Sequence, residues 1–345
     1  MARLPEILQT KAGDRHLYAV GRIRVLETHL LDRDILKNLI EAGSVKEVYN
    51  ELRDTIYGEG VVETEENLDF ERMLQYEKQS IINLIDSISP DPYLTDLFVY
   101  SFDVQNIKML FKEKLGKALE PWAFYVIGRF DISTLRELVQ TSGGETLPVP
   151  KWMIAASEEL EKAWKDYPKL RVVDAVWDRA LATAQLEDSI KYKRPILTRF
   201  FRFNLDIHNV EAFIRIHISE RSKKQFKQFF IPGGSLSFSF FEEVWGTKVK
   251  ELGRHFKNTQ FHTMVTKSLE EYQTEGSLTM MEMEEARLQM EQLAPARYIT
   301  FGPEPILAYL VTRLFEIKIL RRIMVAKKNN LSVEDLRKRV MTFYA

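Results

Sequence analysis

The sequence contains no cysteine, which excludes disulfides, thiolate metal sites and cysteine nucleophiles together and makes a reducing compartment, the cytoplasm, the expected location. Turn formers are scarce. With 15 glycines and 12 prolines in 345 residues, a loop-rich β protein is not expected. Long apolar runs are also missing: the longest uncharged stretch, 228–241, is broken by Pro232, Gly233 and Gly234. A spanning helix needs roughly 20 apolar residues, and MARLPEILQTKAGDR has no apolar segment of signal-peptide length, so no membrane insertion is expected. Nor is there an excess of either charge, the formal net being −1. What is present is a chain 45% hydrophobic and 29% charged, foldable, long enough for two or three domains, and expected to be all-α.

The usual signatures of catalysis are missing as well. No G-x-x-x-x-G-K-[ST] occurs, so there is no phosphate loop for nucleotide hydrolysis, and the glycines at 143–146 and 233–235 read as turns. The six histidines, at 16, 29, 208, 217, 255 and 262, lack the i, i+4 spacing of a helical metal site. Asp174 and Asp178 lie one helical turn apart, with Arg171 and Arg179 nearby, and read as a solvated helix face. The methionines of MEMEEARLQMEQL at 281–293 read as core. No catalytic residue, cofactor or metal is expected, and overall neutrality without a recognised motif argues against nucleic acid.

The near-zero net charge conceals poles. Residues 41–96 hold 14 acidic and 4 basic side chains, 191–227 hold 3 and 10, and 313–339 hold 3 and 9. Such polarity suits docking between proteins. Candidate interface residues are Lys223 and Lys224, and Arg337, Lys338 and Arg339. Gly233 and Gly234 in FIPGGSLSFSFF join them if that segment is a flexible rim; the alternative is a core strip entered after a tight turn.

One ten-residue frame is written three times. FDVQNIKMLF (102–111) and LDIHNVEAFI (205–214) share apolar positions 1, 3, 6, 9 and 10, an acid at position 2 and an asparagine at position 5. FEIKILRRIM (315–324) keeps the frame, with Glu316 where the others have Asp103 and Asp206, and Ile319 in place of Asn106 and Asn209. The apolar spacing is one helix face, and the acids are expected near helix starts, where the macrodipole favours them by about 0.3–1 kcal/mol. A second frame, an apolar residue, a helix-capping residue, then apolar positions five, eight and nine further on, follows two copies: RFDISTLRELVQ (129–140) and SLSFSFFEEVWG (235–246). Its third copy is at the other end of the chain, LLDRDILKNLIE (30–41). The repeat therefore closes as a circle, with both ends contributing to one unit. The expected division is 1–65 plus 300–345, 66–180, and 181–299.

These repeats, with YAVGRIR (18–24), FFIPGGSL (229–236) and above all GPEPILAYLVTRLFEIKILRRIMVAKKNNLSVEDLRKRV (302–340), resemble the C subunits of the archaeal and bacterial V/A-type rotary ATPases, whose counterpart in the eukaryotic vacuolar enzyme is the d subunit. The resemblance runs from about residue 18 to 340. It implies three similar helical domains arranged as a pseudo-threefold funnel. It also implies a non-catalytic rotor coupler between the central shaft, made of the D and F subunits, and the proteolipid ring, on the cytoplasmic face of a membrane across which H+ or Na+ is moved. A helical ligand-binding protein or enzyme, or a general adaptor on the same scaffold, is the alternative at this point.

Overall fold

The computed structural model describes residues 14–117, 119, 124–141, 147–219 and 222–340, and every regular element among them is a helix. The chain forms two compact units. One takes the described parts of Met1–Pro92 and Lys250–Ala345, the other Tyr93–Val249. In chain order the first unit opens with α1 (Leu17–Glu27), α2 (Arg33–Glu41), α3 (Val45–Leu52), α4 (Gly58–Thr64) and α5 (Phe70–Ile88). The second contains α6 (Pro92–Lys114), α7 (Ile132–Thr141), α8 (Lys151–Asp166), α9 (Leu170–Lys191), α10 (Pro195–Ile218), α11 (Lys223–Phe229) and α12 (Phe238–Val244). The first is completed by α13 (Leu252–His255), α14 (His262–Glu275), α15 (Thr279–Leu293), α16 (Glu304–Lys328) and α17 (Val333–Val340).

Local chemistry sets the short helices. Asp32 caps α2 by accepting the Ile35 N–H at 2.8 Å. The Ser44 hydroxyl accepts the Glu47 N–H at 3.2 Å while Glu47 reaches back to the Gly43 N–H at 2.8 Å, a capping pair that starts α3. Sequence periodicity predicts one helix over about 65–88, and the structure forms it as a single helix that begins five residues later. Leu68 takes φ +49° and Asp69 caps a new helix by accepting the Arg72 N–H at 3.1 Å, so α4 ends at Thr64 and α5 begins at Phe70. A turn that periodicity did not reveal occurs twice. The Thr55 hydroxyl donates to the Leu52 carbonyl and accepts the Tyr57 N–H; Thr259 does the same between Phe256 and Phe261.

In the first unit α16 is buried around most of its circumference, through Ile306, Leu307, Leu310, Ile317, Ile319, Leu320, Ile323 and Met324. Such a helix is the centre of a core rather than its edge. Leu31, Leu36, Leu39 and Ile40 from one end of the chain and Ile317, Leu320 and Ile323 from the other lie in a single apolar cluster. Residues from the two sequence-distant segments thus build one core together. In the second unit α6, α7, α8 and α9 enclose Val104, Ile107, Leu135, Leu138, Met153 and Trp177. There α10, α11 and α12 meet through aromatic rings: Phe213 lies 5.5 Å from Phe226 and 5.2 Å from Phe241, and Phe226 also packs on Phe230, Phe238 and Trp245. The phenylalanines of FIPGGSLSFSFF belong to this core.

Leu320→Ala removes a side chain with no exposed surface and is expected to cost about 2–5 kcal/mol. Urea unfolding measures it. Because the core is shared by both chain ends, hydrogen exchange should accelerate in α2 and α3 as well as in α16.

Candidate functional site

The three repeated acids are not at helix starts. Asp103 is the twelfth residue of α6, Asp206 the twelfth of α10 and Glu316 the thirteenth of α16, and all three are buried. The macrodipole argument applies to a different helix. Each carboxylate crosses to the turn that opens the next short helix. Asp103 accepts the N–H groups of Arg129 at 3.0 Å and Phe130 at 3.2 Å, just before α7. Asp206 accepts those of Ser235 at 2.8 Å and Leu236 at 2.9 Å, before α12, and the Ser235 hydroxyl at 2.5 Å. Glu316 accepts the Leu31 N–H at 2.7 Å, before α2, together with the Tyr57 hydroxyl at 2.9 Å. Phe130, Leu236 and Leu31 are the same position of the second sequence frame, and the backbone N–H of each is accepted by the acid of its own copy.

The far end of each short helix is held too, by a residue that inspection of the sequence missed. Eleven positions after each acid stands a donor: Lys114, His217 and Lys327. Lys114 donates to the Val139 carbonyl at 2.7 Å, at the end of α7. Lys327 donates to the Ile40 carbonyl at 2.5 Å, at the end of α2, and His217 Nε2 meets the Thr247 carbonyl at 2.8 Å, just beyond α12. Eleven residues are three helical turns, about 16 Å along one face, which matches the length of a short helix. Each long helix therefore sets an acid against the N-terminal side and a donor against the C-terminal side of the short helix beside it, the polarity that its dipole favours. The i, i+11 acid–base spacing was the available signal.

The asparagines perform a related task. Asn106 accepts the Tyr125 N–H at 2.7 Å and donates to the Tyr125 carbonyl at 2.8 Å. Asn209 makes both bonds to Ile231, each at 2.8 Å. These backbone residues lie five before Phe130 and Leu236. Five before Leu31 is Leu26, inside α1, where the helix occupies the peptide groups. An amide would have no partner there, and Ile319 packs at 1% exposure instead.

Gly128 and Gly234 complete the clamps. A Cβ on either would fall 2.2 Å from Asp103 Oδ1 or 2.1 Å from Asp206 Oδ1, so the carboxylate and turn can meet only over glycine. Gly233, at φ +109°, lies with its Cβ direction 3.0 Å from Leu186. The packing thus accounts for both glycines of the candidate rim. Burial pushes the Asp103 carboxyl up to about 6, against the opposing pull of the Arg129 and Phe130 N–H groups. The modest 0.3–1 kcal/mol expected for helix-start acids gives way to the larger cost of breaking a buried, multiply bonded carboxylate.

The remaining candidates are at the surface. Lys223 pairs with Glu242 at 2.7 Å and Arg337 with Glu41 at 3.1 Å, each about half exposed; Lys224 is exposed. The side chains of Lys338 and Arg339 lie outside the described residues, as does the glycine turn at 143–146. Asp174 and Asp178 are not a free solvated face: Lys108, 7% exposed, sits 3.6 and 2.5 Å from them. Among the described residues no group of three or more potential ligands could hold a metal ion, and no helix is long and apolar enough to cross a membrane.

Gly234→Ala is expected to lower stability by about 3 kcal/mol, since the new Cβ displaces a carboxylate that holds several bonds. Gly246→Ala, where a Cβ meets nothing within 4 Å, should stay within about 0.5 kcal/mol. Thermal or urea unfolding of the pair checks the contrast.

Comparison with known proteins finds similarity along nearly the whole chain. The family model described as ATP synthase (C/AC39) subunit matches residues 19–339. The C subunit of the V-type sodium ATPase of Enterococcus hirae is 21% identical over 93% of this chain and 97% of its own length. The C subunits of the A-type ATP synthases of Methanocaldococcus jannaschii and Pyrococcus abyssi are 25% and 23% identical, covering 93% and 94% of this chain and 85% and 89% of theirs. The chain belongs to the ATP synthase (C/AC39) subunit family, that of the C subunits of the V/A-type ATPases.

Proposed function

We propose that the protein is the coupler of a V/A-type rotary ATPase, joining the central shaft of D and F subunits to the proteolipid ring on the cytoplasmic face of the membrane. As a member of the C/AC39 family it is a structural component of the complex and performs no catalysis. Rotation of one partner then turns the other, so that ATP hydrolysis or synthesis is linked to movement of H+ or Na+.

The family match across 19–339 carries this reading, and the clamps give it a physical basis. A part that transmits torque must deform little under load, and close-packed helices meet that demand. Short helices pinned at both ends by buried polar contacts add resistance to sliding along the long helices. The threefold repetition supports a plan of three similar helical units, 1–65 plus 300–345, 66–180 and 181–299, set about a pseudo-threefold axis as a funnel. The charged poles supply docking surfaces, and Lys223, Lys224, Arg337, Lys338 and Arg339 belong to the basic ones.

The test is capture of a purified D–F complex, and of detergent-solubilised ring, by the purified protein. Charge reversal at Lys223 and Lys224, or at Arg337, should weaken capture several-fold at low salt and less at high salt, while unfolding shifts by under about 1 kcal/mol. Absence of binding to both D–F and ring by the folded protein would overturn the proposal.

A further inference from the structure

Two carboxylates and one guanidinium are enclosed together in the first unit. Arg313 of α16 donates to Glu77 of α5 at 3.0 Å and to Glu316 of α16 at 3.2 Å, and none of the three side chains is more than 5% exposed. The guanidinium also lies over the Tyr57 ring, 4.3 Å from its centre. With every group ionised, the cluster would hold an uncompensated negative charge away from water, an arrangement that the loss of hydration disfavours. A bound proton is the smallest available countercharge. We propose that Glu77, Arg313 and Glu316 form a proton-binding latch, in which uptake or release of one proton sets how firmly α4 and α5 are held against α16.

The surroundings assign the proton to Glu77. Burial pushes the Glu316 carboxyl up as well, but three donors, Arg313, the Tyr57 hydroxyl and the Leu31 N–H, oppose it and favour its charged form. Glu77 is met by Arg313 from α16 and by the Gly60 N–H from α4, and it also feels the negative charge of Glu59 on α4. The other titratable groups around the cluster are Tyr309 on α16 and, on α5 itself, Tyr76, which donates to Glu59 at 3.1 Å, and Lys78, which feels Glu71, Arg321 and Lys318. Burial accordingly pushes the Glu77 carboxyl up to about 7, against the lowering effect of Arg313.

The direction of the pH effect follows. The unfolded chain releases this proton near the ordinary 4.5, and the folded chain keeps it until about 7. Between those values the native state binds more protons, so stability is fully present below about 4.5 and is lost as pH rises through about 7. Loss of the proton places two negative charges on one guanidinium and weakens the hold on α4 and α5.

Urea unfolding of the full chain at pH 5 and pH 8 tests this with wild type, Glu77→Gln and Glu71→Gln, the last altering an exposed carboxylate paired with Arg321. From pH 5 to 8 the wild-type unfolding constant should rise roughly 70-fold more than that of Glu77→Gln, while Glu71→Gln follows wild type. Carboxyl-carbon NMR of the wild type should show Glu77 titrating near 7, which decides the matter even if Glu77→Gln does not fold. Amide protection in α4 and α5, corrected for intrinsic exchange, should be higher at pH 5.5 than at pH 8. Titration of Glu77 below 5, equal pH dependence in wild type and Glu77→Gln, or pH-independent protection of α4 would each overturn the latch.

Discussion

A short helix cannot hold its own ends. Its first N–H groups and last carbonyls lack partners inside the helix, and a piece of seven to ten residues has few internal bonds to offset them. In this protein a long neighbour supplies those partners from one face, an acid at one level and a basic or imidazole donor three turns later. The same solution recurs at α6 with α7, α10 with α12 and α16 with α2. Much else follows from it: why the acids are buried, why glycines stand two residues before Phe130 and Leu236, and why asparagine is present in two copies and absent from the third.

The frame was legible because the clamp needs a fixed geometry on both partners. Asp103, Asp206 and Glu316 stood out by repetition, and the second frame placed Leu31, Phe130 and Leu236 in register although one copy lies at the opposite end of the chain. The helix each acid serves was not legible. A carboxylate in an apolar stripe has the same local pattern whether it begins its own helix or reaches across to another, and only the folded partner distinguishes them. Lys114, His217 and Lys327 were missed because the ten-residue frame carries its acid at position 2 and ends three residues short of the donor. The fall in charge from lysine to histidine in the second copy further hid the pattern.

Other discrepancies have equally local causes. The division between α4 and α5 depends on a left-handed Leu68, a conformation that hydrophobic periodicity does not report. Asp174 and Asp178 read as a solvated face because their partner, Lys108, is some seventy residues away in sequence. The Arg313 cluster was invisible for the same reason: Glu77 and Arg313 are 236 residues apart. Basic patches, by contrast, are sums over neighbouring residues, and Lys223, Lys224 and Arg337 are surface groups.

The clamp between Glu316 and Leu31 joins positions 285 residues apart, and this sets a schedule for the growing chain. At roughly 5–20 residues added per second, α2 leaves the ribosome about 15–60 s before α16 exists to receive it. During that interval the apolar faces of α2 and α3 have no completed core, while the whole intervening unit is made and can fold. The dense acidic charge between residues 41 and 96 favours solubility until α16 and α17 arrive. The core around α2 and α3 is begun before the intervening unit is made and finished after it.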